Sequence, residues 1–231
     1  MPGQYGITVV NDGSIDERTA PPAWNAASSA MEQSIVISVV VPAFNAVGTL
    51  HECLTALLCQ TVPHSSYEII VVDDGSLDAT SDVATQFIDQ GVRLVRQQNQ
   101  GAAGARNTGV DHAQGALLLF TDSDCVPRAD WIERMAAAFD DCDVVGAKGT
   151  YLTRQCTAIA RFVQIEYEDR YDRMRGQERI DFVDTYSAGY RRDVFLQNGG
   201  FDVSARFLED QEFSFRPVSY THLTLPTSDL V

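Results

Sequence analysis

Three acidic clusters stand out for where they fall in the chain: Asp73-Asp74, Asp122-Ser123-Asp124 and Glu209-Asp210. The first closes the apolar run 67–72 and the second closes the run 116–121, so both occur where a buried strand would give way to a loop. In open α/β sheets, ligands bind at that edge. Two carboxylates one residue apart can point into one pocket, and Mg²⁺ prefers one or two carboxylates plus phosphate oxygens to an all-protein cage. The chemistry such residues suit is the holding of a cation-bound diphosphate. An isolated Asp-x-Asp is more often a solvated acidic turn, here before a helix starting at Pro127. A Glu-Asp pair opening a helix more often only offsets the helix dipole. Placement after a buried strand favours the ligand reading.

A small-residue stretch, Asn99 to Asn107, opens a helix expected to run to about residue 113. Its glycines would let backbone amides approach a phosphate, and the Arg106 guanidinium can grip an oxyanion with two parallel hydrogen bonds. Close packing on a sheet and a simple salt bridge are the plainer alternatives. His51, His64, His112 and His222 have no metal-ligand spacing and receive no role.

These side chains need a scaffold, and from residue 35 onward β-branched runs alternate with helical patterns. That alternation signals βαβ units and a parallel sheet. Strands are expected at 35–41, 67–72, 92–95 and 116–120. Leu50, Leu54, Leu57 and Leu58 recur at helical spacing, as do Val83, Ala84, Phe87 and Ile88 ahead of a terminating Gly91. A charged amphipathic helix is expected from 157 to about 175.

The chain has 231 residues, 45% of them apolar, enough for one well-cored domain. Its net charge of −15, from 17 basic and 32 acidic residues, argues against a nucleic-acid binder, because no basic stripe could displace counterions. Five cysteines form an odd set without a CxxC pair, which disfavours a disulfide framework or structural zinc and points to a reducing cytoplasm. No apolar run approaches the roughly 18 residues of a membrane helix. Residues 1–33 read as a flexible leader. Residues 217–231, following a helix expected to be cut at Pro217, share neither the acidity nor the periodicity upstream and read as a non-native, adapter-like tail on a truncated gene.

Taken in order, Ser38-Val39-Val40-Val41-Pro42-Ala43-Phe44-Asn45, Val71-Val72-Asp73-Asp74-Gly75-Ser76-Leu77-Asp78, Asn99 to Asn107, Asp122-Ser123-Asp124, Gly199-Gly200-Phe201-Asp202 and Glu209-Asp210 resemble the successive blocks of family 2 glycosyltransferases. The match covers 34–216. It implies an α/β GT-A fold, Rossmann-like, with a mostly parallel central sheet flanked by helices. The implied activity is metal-dependent, inverting transfer of a sugar from a nucleotide-sugar donor to an acceptor hydroxyl, as in cell-envelope polysaccharide synthesis.

By this resemblance Pro42 and Phe44 line the base pocket, Asp74 binds base or ribose, and Asp122 contacts ribose or the metal shell. Asp124 is the principal ligand of a Mg²⁺ or Mn²⁺ ion, Arg106 steadies the diphosphate, and Asp210 is the catalytic base. Ser187, Ala188, Gly189 and Glu209 lie toward the acceptor or donor sugar. The acceptor would be a saccharide, lipid or protein, and any location at the cytoplasmic face of a membrane would come from segments beyond the C-terminus. A sugar-nucleotide nucleotidyltransferase would place a glycine-rich basic loop after the first strand, where this chain has Pro42-Ala43-Phe44-Asn45; a non-catalytic nucleotide-sugar binding module is the other alternative.

Overall fold

The structure, a computed structural model, describes residues 36–150, 152–153, 155–174, 183–205, 208–218 and 222–224. The expected leader and the end of the expected tail lie outside the described residues. Strands β1 (Ile37–Ala43), β2 (Tyr67–Asp73) and β4 (Leu117–Thr121) are rich in Val, Ile and Leu and almost wholly buried, as strands covered on both faces must be. With β3 (Val92–Arg96) they form a parallel block in the order β3-β2-β1-β4.

The antiparallel pairs of this mostly parallel sheet lie beyond β4. Strand β6 (Ser187–Arg191) runs antiparallel to both β4 and β5 (Val144–Lys148), and β7 (His222–Thr224), inside the segment read as a tail, adds parallel to the far side of β5. The seven-stranded order is β3-β2-β1-β4-β6-β5-β7.

Register aligns the functional edge. Ala43 lies opposite Asp73 and Val40 opposite Phe120, so the loops after β1, β2 and β4 leave the sheet on the same side. Alternate residues of each strand face opposite layers. Val39, Val41, Ile69, Val71 and Leu119 pack with α1 (Leu50–Leu58) and with Trp131 of α4 (Trp131–Ala137). Val40, Ile70, Val72, Leu118 and Phe120 pack with α3 (Gly101–Asp111) and an aromatic nest of Tyr190, Phe195, Phe201 and Phe213. The closest rings of that nest, Phe195 and Phe213, have centroids 4.7 Å apart. Such pairs add about 0.5–1.5 kcal/mol each beyond area burial, and Phe213 thereby seats α7 (Glu209–Val218).

Several boundaries differ from expectation. The helix foreseen at Pro127 begins instead at Trp131, because residues 122–130 form the turn that carries the second acidic cluster. The helix carrying Val83 and Ala84, α2 (Thr80–Thr85), stops early; a 3₁₀ turn at Ile88–Gln90 leaves Ile88 exposed before Gly91 turns the chain at φ +96°. Helix α7 runs one residue past Pro217 rather than being cut there. Helices α5 (Ala158–Met174) and α6 (Arg192–Gln197) complete the layers. Among the described residues, no helix is long and apolar enough to cross a membrane.

Gly115 shows how tightly β1 is held. A Cβ there would lie 2.7 Å from the Ile37 carbonyl carbon and the Ser38 nitrogen, both backbone atoms. Gly115→Ala should therefore lower stability by about 1–3 kcal/mol through overpacking. Urea denaturation will show this as a lower midpoint at unchanged slope; an unchanged midpoint would mean that β1 yields at no cost.

Candidate functional site

The loop after β1 is shaped by the loop after β2. Asn45 takes the left-handed conformation, φ +51°, which asparagine tolerates well. Its backbone N–H donates to Ser76 Oγ (2.9 Å), its side-chain oxygen accepts from the Leu77 N–H (2.8 Å), and the Ala46 N–H donates to Thr80 Oγ1 (2.7 Å). So held, Phe44 remains 48% exposed rather than entering the core. With Pro42 it lines a cleft of about 750 Å³ whose walls also include Asp74, Arg106, Asp122 and Asp124.

The two aspartates closing β2 divide their work. Asp73 is buried, which alone would raise its pKa, but hydrogen bonds from Ser76 and Ser81 and the nearby Arg96 charge hold it below the usual carboxylate range. It caps the turn that Gly75 makes at φ +78°. Asp74 accepts from Gln97 Nε2 (2.6 Å) and the Gln100 N–H (2.9 Å) on one oxygen and from the Gly101 N–H (2.8 Å) on the other. The amides that open α3, foreseen as a phosphate cradle, are therefore taken by a carboxylate of the chain itself, which also satisfies the positive end of the helix dipole. The second oxygen keeps acceptor capacity for a ligand in the cleft.

Arg106 is placed differently from the diphosphate grip expected of it. Only 4% exposed, it donates through one terminal nitrogen to Asp122 Oδ1 (2.7 Å) and through the other to Glu209 Oε1 (2.8 Å). It thus bridges the loop after β4 to the start of α7. The next residue, Asn107, pairs with both the N–H and the carbonyl of Phe201, at 2.9 and 2.7 Å, so adjacent side chains of α3 fix the two segments flanking the aromatic nest. Asp122 keeps its other oxygen, and Asp124 is exposed at the cleft with a contact from Cys125 Sγ at 4.0 Å. Burial, reinforced by the charges of Asp122 and Asp124, pushes the Cys125 thiol up to about 12, which keeps it neutral.

Asp210, in the first turn of α7, does not line that cleft; it reaches it through its neighbour Glu209 and Arg106. Burial raises its pKa, as do the charges of Asp184 and Glu209, against the hydrogen bond from the Gln211 N–H and a lesser lowering influence of the Thr185 backbone. Asp74, Asp124 and Asp210 accordingly do not gather around one point. Among the described residues, the three ligand atoms lying within 4.8 Å of one another belong to Asp141, Cys142 and Asp143, in a turn ahead of β5.

Ser187, Ala188 and Gly189 are buried, because β6 lies between two paired strands. Ser187 Oγ accepts from the Trp131 indole (2.9 Å), and a Cβ on Gly189 would meet Leu119 at 2.9 Å. They build the middle of the sheet. The residues that sequence reasoning left without roles are Asn45, Thr49, Asn99 and Ser123 in the cleft wall, and Lys148 and Asp184 behind Asp210. One signal was available: Lys148 is the only lysine in the chain, and it closes an apolar strand.

Residues 38–198 match the family model described as glycosyl transferase family 2. Among curated proteins, the chain is similar to the glycosyltransferase AglE of Haloferax volcanii, 34% identical over 174 residues, which cover 71% of this chain and 55% of AglE. It is also similar to the uncharacterized glycosyltransferase EpsJ of Bacillus subtilis, 31% identical over 192 residues, 78% of this chain and 55% of EpsJ. The chain thus spans about half the length of these relatives. Among solved structures, S. aureus TarS 1-349 in complex with UDP-GlcNAc superposes with a TM-score of 0.69 at 20% identity, over 85% of this chain and 57% of that one. The mannosyltransferase PcManGT from Pyrobaculum calidifontis, in complex with GDP-Man and Mn²⁺, gives a TM-score of 0.70 at 19% identity, over 89% and 61%. At such identities the likeness bears on fold alone, and the fold is GT-A. With a family model matching well over half its length, the chain belongs to glycosyl transferase family 2.

Proposed function

We propose that residues 34–216 form the donor-binding and catalytic domain of a metal-dependent, inverting glycosyltransferase that acts on a nucleotide sugar in the cytoplasm. The observation that carries this reading is the shared cleft: Phe44, Asp74, Asp122 and Asp124, distant in sequence, line one cavity at the C-terminal edge of the parallel strands. Phe44 offers an exposed ring for a base, and Asp74 a remaining acceptor for a base or ribose N–H or O–H. Asp124 and the second oxygen of Asp122 fit a divalent cation, since two carboxylates leave the remaining positions of an octahedral ion to phosphate and water. The bound ion, Mg²⁺ or Mn²⁺, would supply Lewis-acid neutralisation of the departing nucleoside diphosphate.

Arg106 holds Asp122 by one oxygen and so orients the other. Asp210 takes the proton from the acceptor hydroxyl as that oxygen attacks the anomeric carbon. A carboxylate with a raised pKa is a stronger base near neutral pH than an ordinary one. The acceptor is a saccharide, lipid or protein hydroxyl.

The test is metal-dependent release of nucleoside diphosphate, with UDP-GlcNAc and GDP-mannose among the donors tried. Release supports transfer chemistry; pyrophosphate from a nucleoside triphosphate would instead support nucleotidyl transfer, and tight binding without turnover a binding module. Asp124→Ala should abolish the Mn²⁺-dependent part of donor affinity by calorimetry, a loss on the order of tenfold or more if one of two carboxylate ligands is removed. Unchanged metal dependence in that variant would remove Asp124 from the ion.

A further inference from the structure

The surroundings of Asp210 hold a charge pair that the proposed reaction does not use. Lys148 is fully buried on β5, and a buried ammonium persists only when paired. Its Nζ donates to Asp184, itself buried in the segment leading into β6, and lies 5.9 Å from the centroid of the Tyr171 ring. The backbone of the residue after Asp184, Thr185, acts on the Asp210 carboxylate and favours its ionised form. The residue before it, Val183, donates its N–H to Ser214 Oγ (3.0 Å), and that hydroxyl donates to the Asp210 carbonyl (2.7 Å). Segment 183–185 is therefore tied to the first turns of α7 through Ser214, while Lys148 pins its middle residue to the sheet.

We infer that Lys148 and Asp184 form a positioning pair that fixes where the Asp210 carboxylate sits and sets the charge it feels. The inference rests on the reading of Asp210 as the base. The carboxylate of Asp184 disfavours ionisation of Asp210, while the ammonium of Lys148 favours it. The other charged or titratable groups near Asp210 are Glu209 on α7, held by Arg106 of α3, and Tyr190 on β6, whose phenol burial keeps protonated. Arg170 of α5 acts on Lys148. The Lys148–Asp184 pair joins β5 to segment 183–185, which Ser214 links to the Asp210 backbone. A base displaced by about 1 Å can lose on the order of 10²-fold in rate, so the pair matters for geometry as well as charge.

The experiment is a ¹³C NMR titration of the Asp210 carboxyl in the metal-free protein, with the resonance assigned through Asp210→Asn. Asp184→Asn removes a negative charge and leaves the ammonium, so the Asp210 midpoint should move to lower pH. Lys148→Gln does the reverse and should move it to higher pH. The Lys148→Gln/Asp184→Asn double variant should return toward the wild-type midpoint. A purely structural pair would lower the melting temperature of both single variants without opposite shifts, and that result overturns the inference. If either variant does not fold, Asp184→Glu and Lys148→Arg keep both charges while displacing them, and an Asp210 midpoint unmoved in every folded variant overturns it equally. The readout needs no donor or turnover, so an inactive protein would count against the transfer reading alone.

Discussion

Asp210→Asn is expected to reduce turnover by about 10²–10⁴-fold, the usual contribution of a positioned general base, while donor affinity stays within about twofold. The variant should also be more stable than wild type at neutral pH. The sign follows from the raised pKa of Asp210: the folded state holds this proton more tightly than the unfolded chain, so ionising the group in place works against folding. Stability at this site is lost as pH rises from the ordinary carboxylate value of 3.8 through the raised folded value. The gain from asparagine, which can still accept from the Gln211 amide, should appear above that window and vanish below it. Thermal melts at pH 3 and pH 7.5 beside steady-state kinetics check both halves. A variant with full turnover would remove Asp210 as the base whatever its stability.

Arg106→Met should be the most destabilising substitution in the site. Removing one partner of a buried ion pair costs about 3–5 kcal/mol, because the carboxylates left behind have lost their counter-charge. The Asp122 side chain is 35% exposed and can rehydrate, whereas that of Glu209 is only 16% exposed, so about 2–3 kcal/mol is the expected net loss. Adding Glu209→Gln should recover part of it. Mn²⁺ should raise the melting temperature of Arg106→Met more than that of wild type, since an ion at Asp122 supplies the missing positive charge and binds only the folded state. Urea denaturation with and without Mn²⁺ measures both effects. Equal stability of Arg106→Met and wild type would show that the two carboxylates relax into water and that the bridge holds nothing in place.

The difference between Asp74 and Arg106 shows which parts of the site could be read without coordinates. Both line the cleft, one a strand-end aspartate and the other a helix-entry arginine. Asp74 meets Gln97, Gln100 and Gly101, partners supplied within 27 positions by the loop after β3 and the first residue of α3. Arg106 meets Glu209, 103 positions away, and nothing in residues 99–107 announces that encounter. The burial of Ser187, Ala188 and Gly189 was not legible for a related reason: a short run of small residues reads alike whether its strand is at an edge or in the middle, and only the antiparallel insertion of β6 between β4 and β5 settles which.

By itself the sequence determined the parallel strands, the edge at which their loops emerge and the carboxylates delivered there, because apolar runs, helical spacing and turn residues act over a few neighbours. The tertiary structure alone decided which charge meets which: Arg106 with Asp122 and Glu209, and Lys148 with Asp184. The physical reason is that a buried charge must find its partner across space, and the packing of α3, α7, β5 and β6, rather than any local pattern, brings those partners within reach.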